Sequence, residues 1–359
     1  MTTTRGDDLS RLGPAGEPGL GWRIHRAAGE LLEPAARRLV QANAPGDGDA
    51  GRRFLAAARA QQIPLTHFFA SVDDEHGHVR QSVLIVPGAG RTGMIFTSQP
   101  ETPVGEAELA RLIEHGSGEL SGVALAQALL LPSEAGVARA LDRAGFEKLA
   151  DLAYLRRRGE LRKTPAPPGP LANAFGEPRV EWRPSEIGAT GPDAERPVRV
   201  ERVSAIDAGD EETDRLLVAG LHASYERTLD CPRLCELRST EDVLTSHKAV
   251  GSFDPSLWWL VFREGEPLGA MLWSPMGPDL SRGGDAAELV YIGLSPVLRG
   301  LKLGRALLVY GLGELKRRRI NEASCAVDLA NAPACAMYND FGFRRFAERA
   351  AWVKPVGVC

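Results

Sequence analysis

The stretch Ala287 to Arg305 reads AELVYIGLSPVLRGLKLGR, and its order of residue types decides how the rest of the chain is understood. A β-rich run stops at Pro296, which has no N–H to give to a sheet ladder, and Gly300 and Gly304 then frame the start of a helical pattern. N–H groups at a helix start have no partner inside the helix and sit at the positive end of its dipole. A glycine-containing loop at that point therefore suits a pyrophosphate. Arg299 adds charge, and the two glycines let the main chain approach an anion closely.

Working outward, Leu303, Leu307, Leu308, Leu312 and Leu315 fall on one side of a helix that Lys316 to Arg319 close with positive charge. Upstream, WWLVFREGEPLGAMLWSP predicts two strands joined at Glu264 to Pro267, antiparallel to each other and to the strand ending at Pro296. DEETDRLLVAGLHASY has helical spacing, VRVERV from Val198 reads as a strand, and VEWRP is a stray candidate strand. Downstream come a strand, SCAVDLA, a short helix with Pro333 in its first turn, and a closing strand, FAERAAWVKP.

ALDRAGFEKLADLAYLRR from Ala140 matches MYNDFGFRRFAERAAWVK from Met337 without a gap, so the chain reads as two copies of one fold. TPAPPGPLANAFGEP from Thr164 separates them as a linker. The expected division is a flexible start over 1–19, a first copy over 20–162, a linker over 163–197 and a second copy over 198–359. A chain of 359 residues fits two domains of roughly 150 residues each. With 43% hydrophobic and 25% charged residues and a net charge of -4, disorder and a global nucleic-acid-binding field are not indicated. No run reaches the roughly 18 apolar residues that span a bilayer. The start of the chain has no signal-like apolar region, so the cytoplasm is the expected location, with no membrane contact. Five scattered cysteines, Cys231, Cys235, Cys325, Cys335 and Cys359, read as free thiols.

The loop Arg299, Gly300, Leu301, Lys302, Leu303, Gly304 resembles the (Q/R)-x-x-G-x-(G/A) signature of the GNAT superfamily of acyl-CoA-dependent N-acetyltransferases, with Lys302 in place of the middle glycine. Asn331, Tyr338 and the pair Gly342-Phe343 follow in the family's order. The resemblance covers roughly 198–354 and, weakened, about 20–160. It implies an α/β (α+β) chain with two tandem GNAT folds, each a mixed, mostly antiparallel sheet flanked by helices. It also implies acetyl-CoA as acyl donor, held at residues 299–305, with Ile292, Gly293 and Leu294 beside the pantetheine arm and an amide near Leu294 facing the thioester oxygen. Gly293 makes a bulge there easy.

AELVY is similar to the histone-acetylating branch of that family, which implies Glu288 as general base, and Tyr338 takes the place of the acid that protonates the thiolate. Asn331 is expected on the CoA arm. Tyr225, Asp230 and His247, in the polar segment between Tyr225 and Asp254, are candidates for holding the acceptor, a small-molecule or peptide amine. Two other functions share the fold: an inactive acyl-CoA sensor, and a Fem-type transferase that takes its group from aminoacyl-tRNA. No metal is expected, since Cys231, Cys235 and His247 lack a usual second ligand pair and His76 with His78 reads as a hairpin tip. GAGRTG, from Gly88 to Gly93, matches G-x-G-x-x-G, but a strand follows it, so a hairpin turn is expected there. The first copy lacks the loop and the tyrosine and is expected to be structural or to wall the acceptor cleft.

Overall fold

The computed structural model describes residues 21–158, 176–277 and 286–357; the first twenty residues, most of the proline-rich stretch and Cys359 lie outside them. The first half runs β1 (Trp22–Arg26), α1 (Leu32–Val40), α2 (Ala50–Ala60), β2 (Phe68–Asp73), β3 (Val79–Gly88), β4 (Thr92–Thr97), α3 (Pro103–Gly118), β5 (Leu125–Leu130), α4 (Ala135–Arg143) and β6 (Glu147–Arg158). The second runs β7 (Arg179–Trp182), β8 (Val198–Arg202), α5 (Gly209–Tyr225), α6 (Leu234–Leu237), α7 (Thr240–Lys248), β9 (Trp258–Arg263), β10 (Glu266–Met276), β11 (Ala286–Leu294), α8 (Leu303–Arg317), β12 (Glu322–Asp328), α9 (Ala332–Asp340) and β13 (Arg344–Pro355).

The repeat is structural. The offset that carries Ala135, where α4 begins, to Ala332 in α9 also carries both ends of β6 onto both ends of β13. Gly145 and Gly342 occupy the same left-handed conformation, at φ of 81° and 80°. GAGRTG is the β3–β4 turn, with no helix after it, and DDEHGH is the β2–β3 turn, where Asp73 accepts from the main chain of His76 and His78.

All described strands join one sheet in the order β1-β2-β3-β4-β5-β13-β6-β12-β11-β10-β9-β8-β7. The copies exchange their last strands: β13 pairs with β5 of the first half, and β6 pairs with β12 of the second. The two exchanged strands meet at the centre as an antiparallel pair. The order is then symmetric about that pair, except for β7, which adds an edge strand to β8. Trp182, Ile187 and Ala194 belong to the same core as the α8 leucines, so the segment from Arg179, expected as linker, packs into the second half.

In the second half α8 and α9 cover one face of the sheet, and α5 with α7 covers the other. An ion pair fixes the position of α8. Arg202, on β8, donates to Glu314 of α8 at 2.6 Å; both side chains are buried, and the main-chain N–H of Gly176 donates to the same carboxylate. Removing one partner would leave the other charge without compensation inside the protein. Glu314→Ala is therefore expected to cost about 3–5 kcal/mol of stability, read from urea unfolding, and a loss below about 1 kcal/mol would show that water reaches Arg202.

Candidate active site

The central geometric feature is a parting of neighbouring strands. β11 and β12 pair in parallel only from Ala286–Leu289 with Glu322–Cys325, while β10 follows β11 to Leu294 and β6 follows β12 to Asp328. A gap thus opens between residues 290–294 and 326–328. Its apex carries a bulge, because Trp273 lies opposite Leu289 and Leu272 opposite Tyr291, leaving Val290 extra. The expected bulge stands at Val290, three residues before Gly293. Ser295 donates to Leu268 O across β10 at 2.7 Å, so strand alternation turns the N–H of Leu294 towards the gap. Likewise Leu329 donates to Asp151 O, which directs the main chain of Ala326 and Asp328 into the gap from the other side.

α8 starts at the wide end of this gap. Leu301 and Leu303 are buried in the main core, so they offer the gap only main chain and anchor the loop from below. Gly300 has φ of 78° and Lys302 φ of 60°; the lysine takes the left-handed conformation that a glycine would adopt without strain. Its substitution for glycine has left the turn intact. The Lys302 ammonium points towards the segment after β7, 3.2 Å from where a Cβ on Gly188 would stand. No side chain caps α8, so the first N–H groups of Leu303, Gly304 and Arg305 remain available. The first half differs here: at α3 the Thr102 hydroxyl accepts from Gly105 N, and Pro103 brings no N–H at all. That helix start is already satisfied.

Arg299 does different work from the phosphate contact its position implied. Its guanidinium donates to four carbonyls, those of Leu294, Arg227, Ser224 and Glu226, at 2.8–3.0 Å. These ties bind the end of α5 and the segment after it to the loop. That segment continues to Asp230, open to solvent on one flank, whose carboxylate accepts from Asp328 N at 2.9 Å, while Cys231 N donates to the Asp328 carboxylate. Asn331 caps α9 through Ala334 N, as a local turn would, and its side chain also bonds Asp230. Arg305 pairs with Asp340 at 2.7 Å and lies over Phe341.

Glu288 sits at the closed end of the gap, half-buried, with no ion pair among the described residues, and burial raises its pKa. Tyr338 is buried under α9 against Phe343, and burial raises its pKa well above the ordinary tyrosine value, with Cys325 and Asp230 as the nearest charge influences. Ile292 and Leu294 pack on the main core. A side chain at Gly293 would collide with the Tyr291 ring, which crosses it. Tyr291 was not singled out in the sequence, yet it gathers the other candidates: its hydroxyl bonds Ser224 at 2.6 Å, Tyr225 stands edge-on to its ring at 5.7 Å and His247 lies tilted against it at 5.6 Å. Burial and Arg238 push the His247 pKa down to about 4, so the ring stays neutral.

The first half holds this cover in place. Arg238 and Ser246, flanking and within α7, donate to Gly90 O and Ala89 O of the β3–β4 turn, and Arg91 pairs with Asp242. Gly90 lies so close that a Cβ there would stand 1.9 Å from Asp242 O.

Residues 222–343 match the acetyltransferase (GNAT) family. The chain is similar to mycothiol acetyltransferase of Geodermatophilus obscurus, with 25% identity over 96% of both chains. It is also similar to mycothiol acetyltransferase of Thermomonospora curvata, with 32% identity over 32% of this chain and 37% of that one, so the matched stretch spans about a third of that relative. A GCN5-related N-acetyltransferase structure from Sphaerobacter thermophilus shares the fold, with a TM-score of 0.52 and 16% identity over 93% of this chain and 96% of that one.

The left-handed Lys302 gives a direct test. Lys302→Gly is expected to raise stability by about 1 kcal/mol and Lys302→Val to lower it by at least as much. Equal stabilities by urea unfolding would mean that the turn is not left-handed in solution.

Proposed function

We propose that this chain is an acetyl-CoA-dependent N-acetyltransferase working in its second half, 198–359, with 20–162 as a copy that has lost the chemistry. The observation that carries the reading is the gap between β11 and β12 with an uncapped α8 at its wide end. The N–H groups of residues 303–305 are suited to a pyrophosphate, and the main-chain edges at Ile292, Leu294 and Ala326 to the amides of a pantetheine arm.

Glu288 takes the proton from the acceptor ammonium, directly or through water, which frees the nitrogen lone pair to attack the thioester carbon. As the C–N bond forms, the Leu294 N–H donates to the carbonyl oxygen where negative charge collects. Tyr338, protonated because burial raises its pKa, gives its proton to the departing thiolate sulfur as the C–S bond breaks. The second proton, shed by the nitrogen as the amide forms, passes through water to restore the Tyr338 hydroxyl, while Glu288 returns its proton to solvent. These roles together amount to direct transfer to a primary amine. The names of the relatives make a mycothiol-type small molecule the first acceptor to test.

A ligand that binds only the folded chain adds RT ln(1 + [L]/Kd), about 2.7 kcal/mol at a hundredfold excess over Kd. CoA is therefore expected to raise Tm by several degrees, and Gly304→Glu, which sets a carboxylate at the α8 start, to abolish the rise. No rise with the unaltered chain at millimolar CoA sinks the proposal.

Glu288→Gln separates activity from stability. The base must be deprotonated, so turnover is expected to climb with pH through the raised Glu288 pKa, above the ordinary glutamate range, and the glutamine variant should lack that limb. Because the folded chain binds this proton more tightly than the unfolded one, the stability it confers is full below the ordinary value and lost as pH rises through the raised one. Glu288→Gln should then melt higher than the parent at pH 8, with the difference closing towards pH 4. A variant that melts lower at pH 8 would mean that the carboxylate is paired.

A further inference from the structure

Ala326 lies in the middle of a thirteen-stranded sheet, and yet it is exposed. β12 pairs antiparallel with β6, and such a pair can leave one face to water; the small, exposed Ala326 side chain marks a low place in that face. The registers show what borders it. Ser324 pairs with Glu288 on β11 and with Arg156 on β6, and Ala326 pairs with Tyr154, so two small residues floor the space between Glu288 and Tyr154. Tyr154 belongs to the first copy and reaches this place only because β6 is exchanged. Phe346, the extra residue where the β13 register shifts, stands edge-on to Tyr154 at 6.3 Å and is 51% exposed, walling one side.

Arg349 follows on β13, opposite Leu152 and on the same face as Tyr154. It is half-buried, and its guanidinium donates only to the carbonyl of Glu348; among the described residues no carboxylate pairs with it. The registers put β6, and with it Tyr154, between the strand of Arg349 and the strands leading to Glu288. Three strand spacings of about 4.8 Å and four residues of about 3.3 Å rise separate the two backbones by roughly 19 Å. Side chains of these lengths, extended towards each other, would leave a span on the order of 10 Å.

We propose that Arg349 reads an acidic group on the acceptor, so that the substrate class is an elongated small amine carrying a carboxylate or phosphate about 10 Å from its nitrogen, laid across Ser324 and Ala326 beside Tyr154. The proposal rests on Glu288 marking the nitrogen's place, and it adds what lies at the other end. An unpaired, half-desolvated guanidinium favours an anion over a neutral or cationic group, and a trough with Glu288 at one end and Arg349 at the other fixes the direction of the molecule. Arg156, paired with Glu322, lies over the Phe346 ring at 4.1 Å, so Tyr154 and the uncovered side of Phe346 supply the flat surfaces for the body between them.

The test uses the full chain saturated with CoA, titrated by calorimetry with 8-aminooctanoate and with 1,8-diaminooctane. The aminocarboxylate is expected to bind about tenfold more tightly, Arg349→Gln to make the two equal, and Arg349→Glu to favour the diamine. Thiol release from acetyl-CoA with the same two amines should follow the same order in kcat/KM. Equal affinities in the unaltered chain, or a preference that survives Arg349→Gln, overturn the assignment. A carboxylate or phosphate probe decides the source of the acidity, since 8-aminooctyl phosphate should respond to Arg349 in the same way. Failure of the acetyltransferase reading is separate: it would appear as CoA binding with no thiol release from any amine, while the calorimetric preference still settles the role of Arg349. A purely structural Arg349 would weaken both amines alike and lower Tm.

Discussion

Main-chain hydrogen bonding is close to obligatory in a sheet, and this protein interrupts it in the interior. After Leu289 and Cys325 the parallel pairing of β11 and β12 ends, although each strand remains bonded to its outer neighbour. The unpaired N–H and C=O groups facing each other there would be costly if they were buried in apolar surroundings. They are kept available to a polar occupant, and the surroundings keep the strands apart: the Val290 bulge redirects β11, and Arg299 fastens the loop to α5. The Asp230 carboxylate satisfies one of these groups, the N–H of Asp328. The wide end is thus held open by covalent and hydrogen-bonded structure around it.

The same constraint explains why the copies differ. β4 and β5 also pair only briefly, from Thr92–Met94 with Leu125–Gln127, so the first half has parted strands as well. Its gap is filled from within: Pro100 lies against Gly136, where an added Cβ would meet it at 3.2 Å, and Gln99 bonds Glu134. With Thr102 capping α3, every feature that leaves the second copy open is closed in the first by ordinary side chains. The first copy's β3–β4 turn instead steadies α7, and its last strand supplies Tyr154.

Much of this was legible in the sequence, for identifiable reasons. Local signals carried the loop, the helix after it, the hairpin at GAGRTG and the strand order of the second half, because proline, glycine and hydrophobic period act within a few residues. The repeat was visible since Gly145 and Gly342 need the same backbone conformation. What was not legible depends on distant partners. The position of Arg299 implied an anion contact, whereas its guanidinium is engaged by carbonyls some seventy residues earlier in the chain. Lys302 departs from the signature's middle glycine, and yet it stands in a glycine-like conformation. Leu301 and Leu303 are core residues, a fact that motif matching cannot separate from ligand contact. The exchange of β6 and β13 leaves no trace in sequence, because either partner strand presents the same pattern of side chains.

That exchange has a consequence for how the chain can change over time. Neither copy contains all the strands of its own sheet, so a gene cut between them would yield two fragments, each with a raw edge where the other's final strand belongs. Each half is then a built-in companion that the other cannot shed, so either copy is free to drift in most positions while it is bound to persist as a whole.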